Sequence, residues 1–343
     1  SIRGDIMSAA VPPEGRLERA LEYSRIPCRS LLERHLREAA LKNFLGSQGT
    51  SEPEMSALTL AFMWNMMSEV GIWTPSCGIH GLSDLLAEAI RRRGGEIRLN
   101  CGVKRIRIEK ARVTGVETES GELFRAPWVV CNADPKRAFL ELCRPAEVPT
   151  EFLKRITETP YTDSEFCVYL GLNPQKVDWS AMRATHLFFR HQVEGRALED
   201  FEHREIEICR WSDNAPDHVP SGKASLVLRV GFPYKEFVPF RTGEKKRKPE
   251  YGRYKHALSQ KLIAAADKAL PGLKESVEVV EAATPLTYAD WGRRYEGSIA
   301  GWTWRAEHGD GLDRKLLVET PIENLLMTGI YAAAELIILR EKC

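Results

Sequence analysis

The sequence lacks nearly every self-contained chemical signature. Its eight cysteines, at positions 28, 77, 101, 131, 143, 167, 209 and 343, include no C-x-x-C pair, the spacing on which zinc knuckles and dithiol redox sites depend. His186 and His191 stand five residues apart, which suits neither one helical face nor one strand face, so no metal site is expected. There is no G-x-S-x-G elbow, no H-E-x-x-H, no G-x-x-x-x-G-K-[ST] and no strand followed by G-x-G-x-x-G. That sets aside elbow hydrolases, zincins and P-loop NTPases. Charge of one sign is missing too: 49 Lys+Arg face 48 Asp+Glu, a net +1, and nothing steers the whole chain toward nucleic acid or an anionic membrane. The longest apolar stretch, Ala57 to Met67, is broken by Asn65 and falls short of the roughly 20 residues that span a bilayer. The opening SIRGDIMSAAVPPEG has no basic start leading into an apolar run, so these residues do not read as a secretory signal. No glycine-rich turn opens the chain, and it stops after LIILREKC; both ends read as cut from something larger.

What is present is a globular pattern. With 343 residues, 43% hydrophobic and 28% charged, the chain has room for two domains and a large core. Cys131 in WVVCN and Cys167 in FCVYL lie in apolar, strand-like runs, as reduced cysteines of a cytoplasmic protein do. Residues Leu17 to about Glu69 read as helices, with Leu31, Leu32, His35 and Leu36 at helical spacing. Met55 to Met67 is apolar nearly all round, which suits a buried core helix or the wall of an apolar tunnel or membrane-facing lip. After the turn-rich Gly71–Gly81, Leu82, Leu85, Leu86, Ala89 and Ile90 make one helical stripe, stopped by Gly94-Gly95. The preceding Arg91, Arg92 and Arg93 match the negative end of the helix dipole.

From Glu96 to Cys131 the period becomes two. EIRLN, VKRIRIE, RVTGVETES, ELFR and WVVCN read as successive strands, and Asp134-Pro135 caps a helix over KRAFLELC. From about Val148 to Val280 longer strands follow (SEFCVYLGLN, THLFFRHQ, REIEICRWS, SLVLRVGFP), then a basic loop, Gly243 to Pro249, and a helix from Tyr251 to about Leu270. The loop reads as solvated surface, with contact to anionic lipid as the lesser option. The expected architecture is α/β plus α+β: part of a Rossmann-like domain interleaved with a mainly antiparallel-sheet and helix domain.

Ala283 to Trp304 gathers Trp291, Tyr295, Trp302 and Trp304 among glycines, which suits either core packing or the close approach of a flat ligand. Four segments then carry a resemblance. The first is Gly71, Trp73, Pro75, Cys77-Gly78 and Gly81-Leu82, running to Gly94-Gly95-Glu96-Ile97-Arg98. The second is Val103, Ile106, Val113, Gly115-Val116 and Gly121-Glu122, closing on APWVVCNADP (Ala126–Pro135). The third is ATPLT (Ala283–Thr287) with Gly297 and Gly301-Trp302, and the fourth is TPIENLLMTG (Thr320–Gly329). In this order they resemble the phytoene desaturase, carotenoid isomerase and retinol saturase group of FAD-dependent oxidoreductases, within the amine-oxidase flavoprotein superfamily.

The resemblance implies FAD as cofactor, with its pyrophosphate on a glycine-rich turn at a helix N-terminus; that turn lies ahead of the matched segments, as in a family member without its first βαβ unit. It implies residues 1–70 as a helical part of the substrate domain, 71–147 as a partial FAD-binding domain, 148–298 as the substrate domain and 299–343 as the return to the FAD-binding domain. It assigns Val103, Asn132, Ala133, Thr328 and Gly329 to the cofactor. Tyr288, Trp302 and Trp304 become candidate walls near the flavin and Trp73 a residue of the domain junction, with ordinary packing as the alternative for all four. After Gly329 the chain reads IYAAAELIILREKC in place of the family's acidic and glycine-rich run, and Cys77 replaces the first of a glycine pair. No side chain is assigned as a catalytic acid or base. The expected activity is hydride transfer between flavin and an apolar polyene or isoprenoid-like substrate. A cofactor-free remnant and an amine-oxidase-type flavoenzyme are the alternatives. No nucleic acid or metal is expected, peripheral membrane contact is an option, and no oligomeric state is implied.

Overall fold

A computed structural model describes residues 22–47, 55–71, 75–190, 199–213, 219–306 and 318–333. After a helical run at 22–25 come three helices: α1 (Cys28–His35), α2 (Ala39–Ser47) and α3 (Ala57–Asn65), the last continued by a π turn, Met66–Val70. Ser56 starts α3 by accepting the Thr59 N–H at 3.1 Å. Of this all-round apolar helix only Ala57 and Leu60 are buried. Leu60 joins Cys28, Met55, Leu32, Trp64 and Trp304 in a small cluster. Helix α4 (Gly78–Arg92) follows, ended by Gly94 at φ 78°. Its apolar stripe is in place, but Ile79, Leu82, Leu85, Leu86 and Ile90 are all exposed.

Strands β1 (Val103–Glu109), β2 (Arg112–Thr118) and β3 (Leu123–Arg125) form an antiparallel meander. The expected strand at Glu96–Asn100 does not form; that segment runs without strand pairing into a turn. A strand is defined by its neighbour, and among the described residues none lies beside it. β4 (Val129–Cys131) leads through Asp134 into α5 (Pro135–Arg137), where the expected helix turns π over Ala138–Leu142, and α6 (Thr150–Glu158) follows.

The second half is built on five strands. β5 (Glu165–Leu172), β6 (His186–Phe189), β7 (Ile206–Arg210) and β8 (Ala224–Gly231) are followed by the hairpin β9 (Arg241–Gly243) and β10 (Lys246–Arg247). Next come α7 (Glu250–Asp267), α8 (Leu273–Ser276) and β11 (Val277–Ala283). The sheet order is β11-β5-β8-β7-β6, with every pair antiparallel. One face carries Phe166, Val168, Leu170, Leu226, Leu228, Ile206 and Ile208, closed by Leu258, Leu262 and Ile263 of α7 in the largest core. Each such fully buried side chain contributes about 1.5–3 kcal/mol.

The basic loop lies at the surface, as expected, with Glu244, Lys245, Lys246 and Lys248 exposed, but it is held in place. It folds as the β9–β10 hairpin, because Asp290, with a fully buried side chain, binds Arg241 at 2.7 Å and Arg247 at 2.5 Å and accepts the Lys245 N–H at 3.0 Å. A buried carboxylate needs such partners, and the loop's cations supply them. Asp290 ends α9 (Pro285–Asp290). The chain then returns through β12 (Leu325–Met327), which pairs in parallel with β4, into α10 (Ile330–Ala333). This return completes a second core of Ile106, Val113, Phe139, Phe152, Ile156, Trp302, Leu325, Met327 and Tyr331. Among the described residues no helix is long and apolar enough to cross a membrane.

Candidate functional site

Two parallel strands ending side by side make the feature from which the site is built. Leu325, Leu326 and Met327 face Val129, Val130 and Cys131 in register, and the Thr328 N–H closes on the Cys131 carbonyl at 2.9 Å. Past these ends Asn132 and Thr328 are exposed. Gly329 lies at φ 90°, and a Cβ there would collide with Oδ1 of Asn132. Only glycine permits that backbone and that approach together. Among the described residues the Asn132 carboxamide has no hydrogen-bond partner. Ligands of open α/β sheets bind at such carboxyl edges.

Below this ledge the Asp134 carboxylate, 5% exposed, fastens four parts of the chain. Oδ1 accepts from the Lys136 N–H at 2.9 Å and the Tyr161 hydroxyl at 2.7 Å. Oδ2 accepts from the Tyr295 N–H at 2.8 Å and the Tyr331 hydroxyl at 3.0 Å. The rings pack together: Tyr161 lies 4.5 Å from Trp302 and 5.1 Å from Tyr331. Burial, and then the charge of Asp134, push both the Tyr161 and Tyr331 hydroxyls far up, so both stay protonated donors. The Lys136 ammonium sits over the Tyr161 and Tyr295 rings at 4.7 and 4.9 Å, and burial lowers its pKa.

The other face of the five-stranded sheet, away from α7, is polar. Cys167 on β5, Arg229 on β8 and Glu207 on β7 are direct cross-strand neighbours. Arg229 Nε donates to Glu165 at 3.1 Å, and its other end lies 3.5 Å from Glu207. His186 Nε2 stands 3.6 Å from Glu207, and the Tyr288 hydroxyl donates to Cys167 Sγ at 3.0 Å. Burial pushes Glu207 up and the Cys209 thiol to about 12, so the thiol is unionised at neutral pH. Among the described residues no group of side chains is arranged to hold a metal ion.

The residues singled out from sequence fall in several places. Asn132, Ala133, Thr328 and Gly329 come together at the strand ends. Val103 opens β1 and pairs with Thr118 in the antiparallel meander. Trp302 is interior, its Nε1 donating to the Tyr331 carbonyl at 3.0 Å. Trp304 packs on the α1–α3 cluster, and Tyr288 lies over the polar sheet face. Trp73 and His191 lie outside the described residues. Sequence reasoning saw Asp134 only as a helix cap and passed over Glu165, Glu207 and Arg229. The available signal was a charged residue inside each of three otherwise apolar strands.

Residues 17–237 match the model of the flavin-containing amine oxidoreductases. The chain is 31% identical over 170 residues to a zeta-carotene-forming phytoene desaturase of Myxococcus xanthus, which covers 48% of this chain and 32% of that one. It is 24% identical over 348 residues to an all-trans-retinol 13,14-reductase of Danio rerio, covering 92% and 56%. An oxidoreductase from Methanosarcina mazei superposes with a TM-score of 0.60 at 16% identity, over 90% of this chain and 63% of that one. A putrescine oxidase variant does so with 0.62 at 12%, over 90% and 62%. The chain thus spans less than two thirds of each of these relatives, and the structural likenesses establish a shared fold. With more than half of its length matched, the chain belongs to the flavin-containing amine oxidoreductase family.

Proposed function

We propose that this chain carries the substrate-handling part, and one side of the cofactor cradle, of an FAD-dependent oxidoreductase of the desaturase, isomerase or saturase type, acting on an apolar polyene or isoprenoid-like substrate. The observation that carries this reading is the pinched pair of strand ends, where the unpartnered Asn132 carboxamide and the bare Gly329 backbone fit the polar edge of a flat dinucleotide. When bound, FAD supplies the hydride chemistry. This chain's own part is to position and to dry the site. Asp134 fixes the ledge through Tyr161, Tyr295 and Tyr331, and the aromatic group behind it excludes water. The phytoene desaturase and retinol reductase relatives support the polyene class.

Titration of the purified chain with FAD, followed by quenching of flavin fluorescence, is expected to show saturable uptake that Asn132→Ala weakens. No uptake by the wild-type chain would sink the claim that this chain holds FAD by itself and favour the cofactor-free reading of it. The substrate class is read from polyene absorbance with loaded protein: a red shift marks desaturation and a blue shift saturation. Turnover of an amine with no polyene change would favour the amine-oxidase alternative.

A further inference from the structure

The hairpin that Asp290 pins carries an exposed aromatic and basic surface. Trp291 directly follows α9 and is 72% exposed, although its N–H donates to the Thr287 carbonyl at 2.9 Å. The ring is therefore held in water by a fixed backbone. The ammonium of Lys245, at the hairpin turn, lies 4.4 Å from the ring centre, a cation–π pair. Lys246 and Lys248 are exposed on the same hairpin and its flank. Asp290 takes up Arg241 and Arg247, but among the described residues no carboxylate pairs with Lys245, Lys246 or Lys248. Residues 241–250 hold five cations against Glu244 and Glu250; with Asp290 counted as well, two positive charges remain in excess. The run that carries Trp291 also reaches both polar clusters: Tyr288 donates to Cys167, and the Tyr295 N–H to Asp134.

We propose that Trp291 and the lysines of the β9–β10 hairpin dock the protein on an anionic lipid bilayer. A tryptophan ring settles at headgroup level, where its apolar body and its N–H are both accommodated. Lysines beside it reach the phosphates and carboxylates of anionic lipids. Asp290 contributes rigidity: with the hairpin already fixed, docking orders little that was free. A nucleic acid fits less well, because Lys245 covers a ring face on which a base would stack, and Glu244 and Glu250 interrupt the basic run. The exposed stripe of α4 offers apolar area, but that helix balances Asp84 and Glu88 against Arg91 and Arg92 and has no charge to select anionic lipid. The docking rests on neither the flavin nor the polyene reading. It sets the 284–298 run against lipid, the phase in which an apolar substrate of the proposed class dissolves.

The test is co-sedimentation of the purified chain with vesicles of phosphatidylcholine alone or mixed with about one third phosphatidylserine. Binding to the mixed vesicles is expected to be about tenfold or more tighter and to weaken as salt is raised. Replacing Lys245, Lys246 and Lys248 together by Gln should remove that preference. Trp291→Ala should weaken binding to the mixed vesicles about tenfold, and brominated lipid should quench the wild-type tryptophan fluorescence more than that of Trp291→Phe. Leu85→Glu on α4 should leave binding unchanged. All the replaced side chains are exposed, and near-UV circular dichroism shows that each variant keeps its fold. Equal binding to both vesicle types, no binding to either, or loss on Leu85→Glu with the hairpin variants unaffected would overturn the proposal. So would tighter binding of a single-stranded oligonucleotide than of the mixed vesicles. Neither FAD nor polyene enters the assay, so its failure leaves the cofactor and substrate readings standing.

Discussion

Leu262 on α7 and Leu85 on α4 are both leucines in the apolar stripe of an amphipathic helix, yet the first is 0% exposed and the second 62%. The two helices differ in what lies beneath them. α7 covers five antiparallel strands whose inner side chains meet it, while the sheet region of the α4 half contains the parallel pair β4–β12. Parallel strands are stable when both faces are covered, and two strands alone make a weak sheet. Val130, in the middle of that pair, is 63% exposed. The outer edge of β12 carries one isolated bridge, Leu326 to Glu319, and the Glu96–Asn100 segment that follows α4 is unpaired. A helical stripe is thus worth the area that its partner removes from water. The same sequence pattern stabilises one region strongly and the other hardly at all.

That contrast can be broken by measurement. Phe166→Ala, in the closed core, should cost about 3–5 kcal/mol in urea unfolding, whereas Leu85→Ala on α4 should stay within about 0.5 kcal/mol. Comparable costs at the two sites would mean that α4 is covered in solution. Next in size, Asp290→Asn leaves Arg241 and Arg247 without their carboxylate and should cost about 3 kcal/mol, seen also as faster amide exchange across the β9–β10 hairpin. Tyr331→Phe removes one donor from Asp134 and should cost about 1 kcal/mol. The double variant with Tyr161→Phe should depart from additivity, since both hydroxyls serve one carboxylate. The smallest effect is a pH dependence. Burial, aided by Arg229, lowers the pKa of His186. Its contribution to stability is therefore present above the unfolded histidine value of about 6.5 and lost as pH falls through its folded value. His186→Gln should flatten the stability profile on that acid side and leave it unchanged at pH 8.

The strands of the five-stranded sheet were legible because alternation over eight residues in β5 and β8 has one simple explanation. The C-terminal bound of α4 was equally plain from its stripe and its terminal glycines, while its first turn, from Gly78, lies inside the stretch read as a loop up to Gly81. The segment EIRLN alternates just as well and still forms no strand, because pairing depends on a neighbour that local sequence does not describe. The ion row failed to show for a related reason. Glu165 and Arg229 are 64 residues apart, and only the register of β5 on β8 makes them partners. The basic loop was legible as surface, but its anchor was not, because Asp290 lies more than 40 residues downstream. Strand-end residues such as Asn132 and Gly329 were reached through family resemblance, since nothing in their own spacing brings them together.

The Asp134 junction also has a consequence for the order in which the chain is built. Its last donor, Tyr331, lies 197 residues downstream, so at cellular synthesis rates roughly 10–40 s separate the two residues at the ribosome. The five-stranded sheet lies wholly inside that interval and needs neither of them to close. Contacts of such long separation are slow to form. The middle of the chain is therefore set to fold first, as an inserted unit, while the segments on either side of it wait for β12 and α10 to arrive and tie them together.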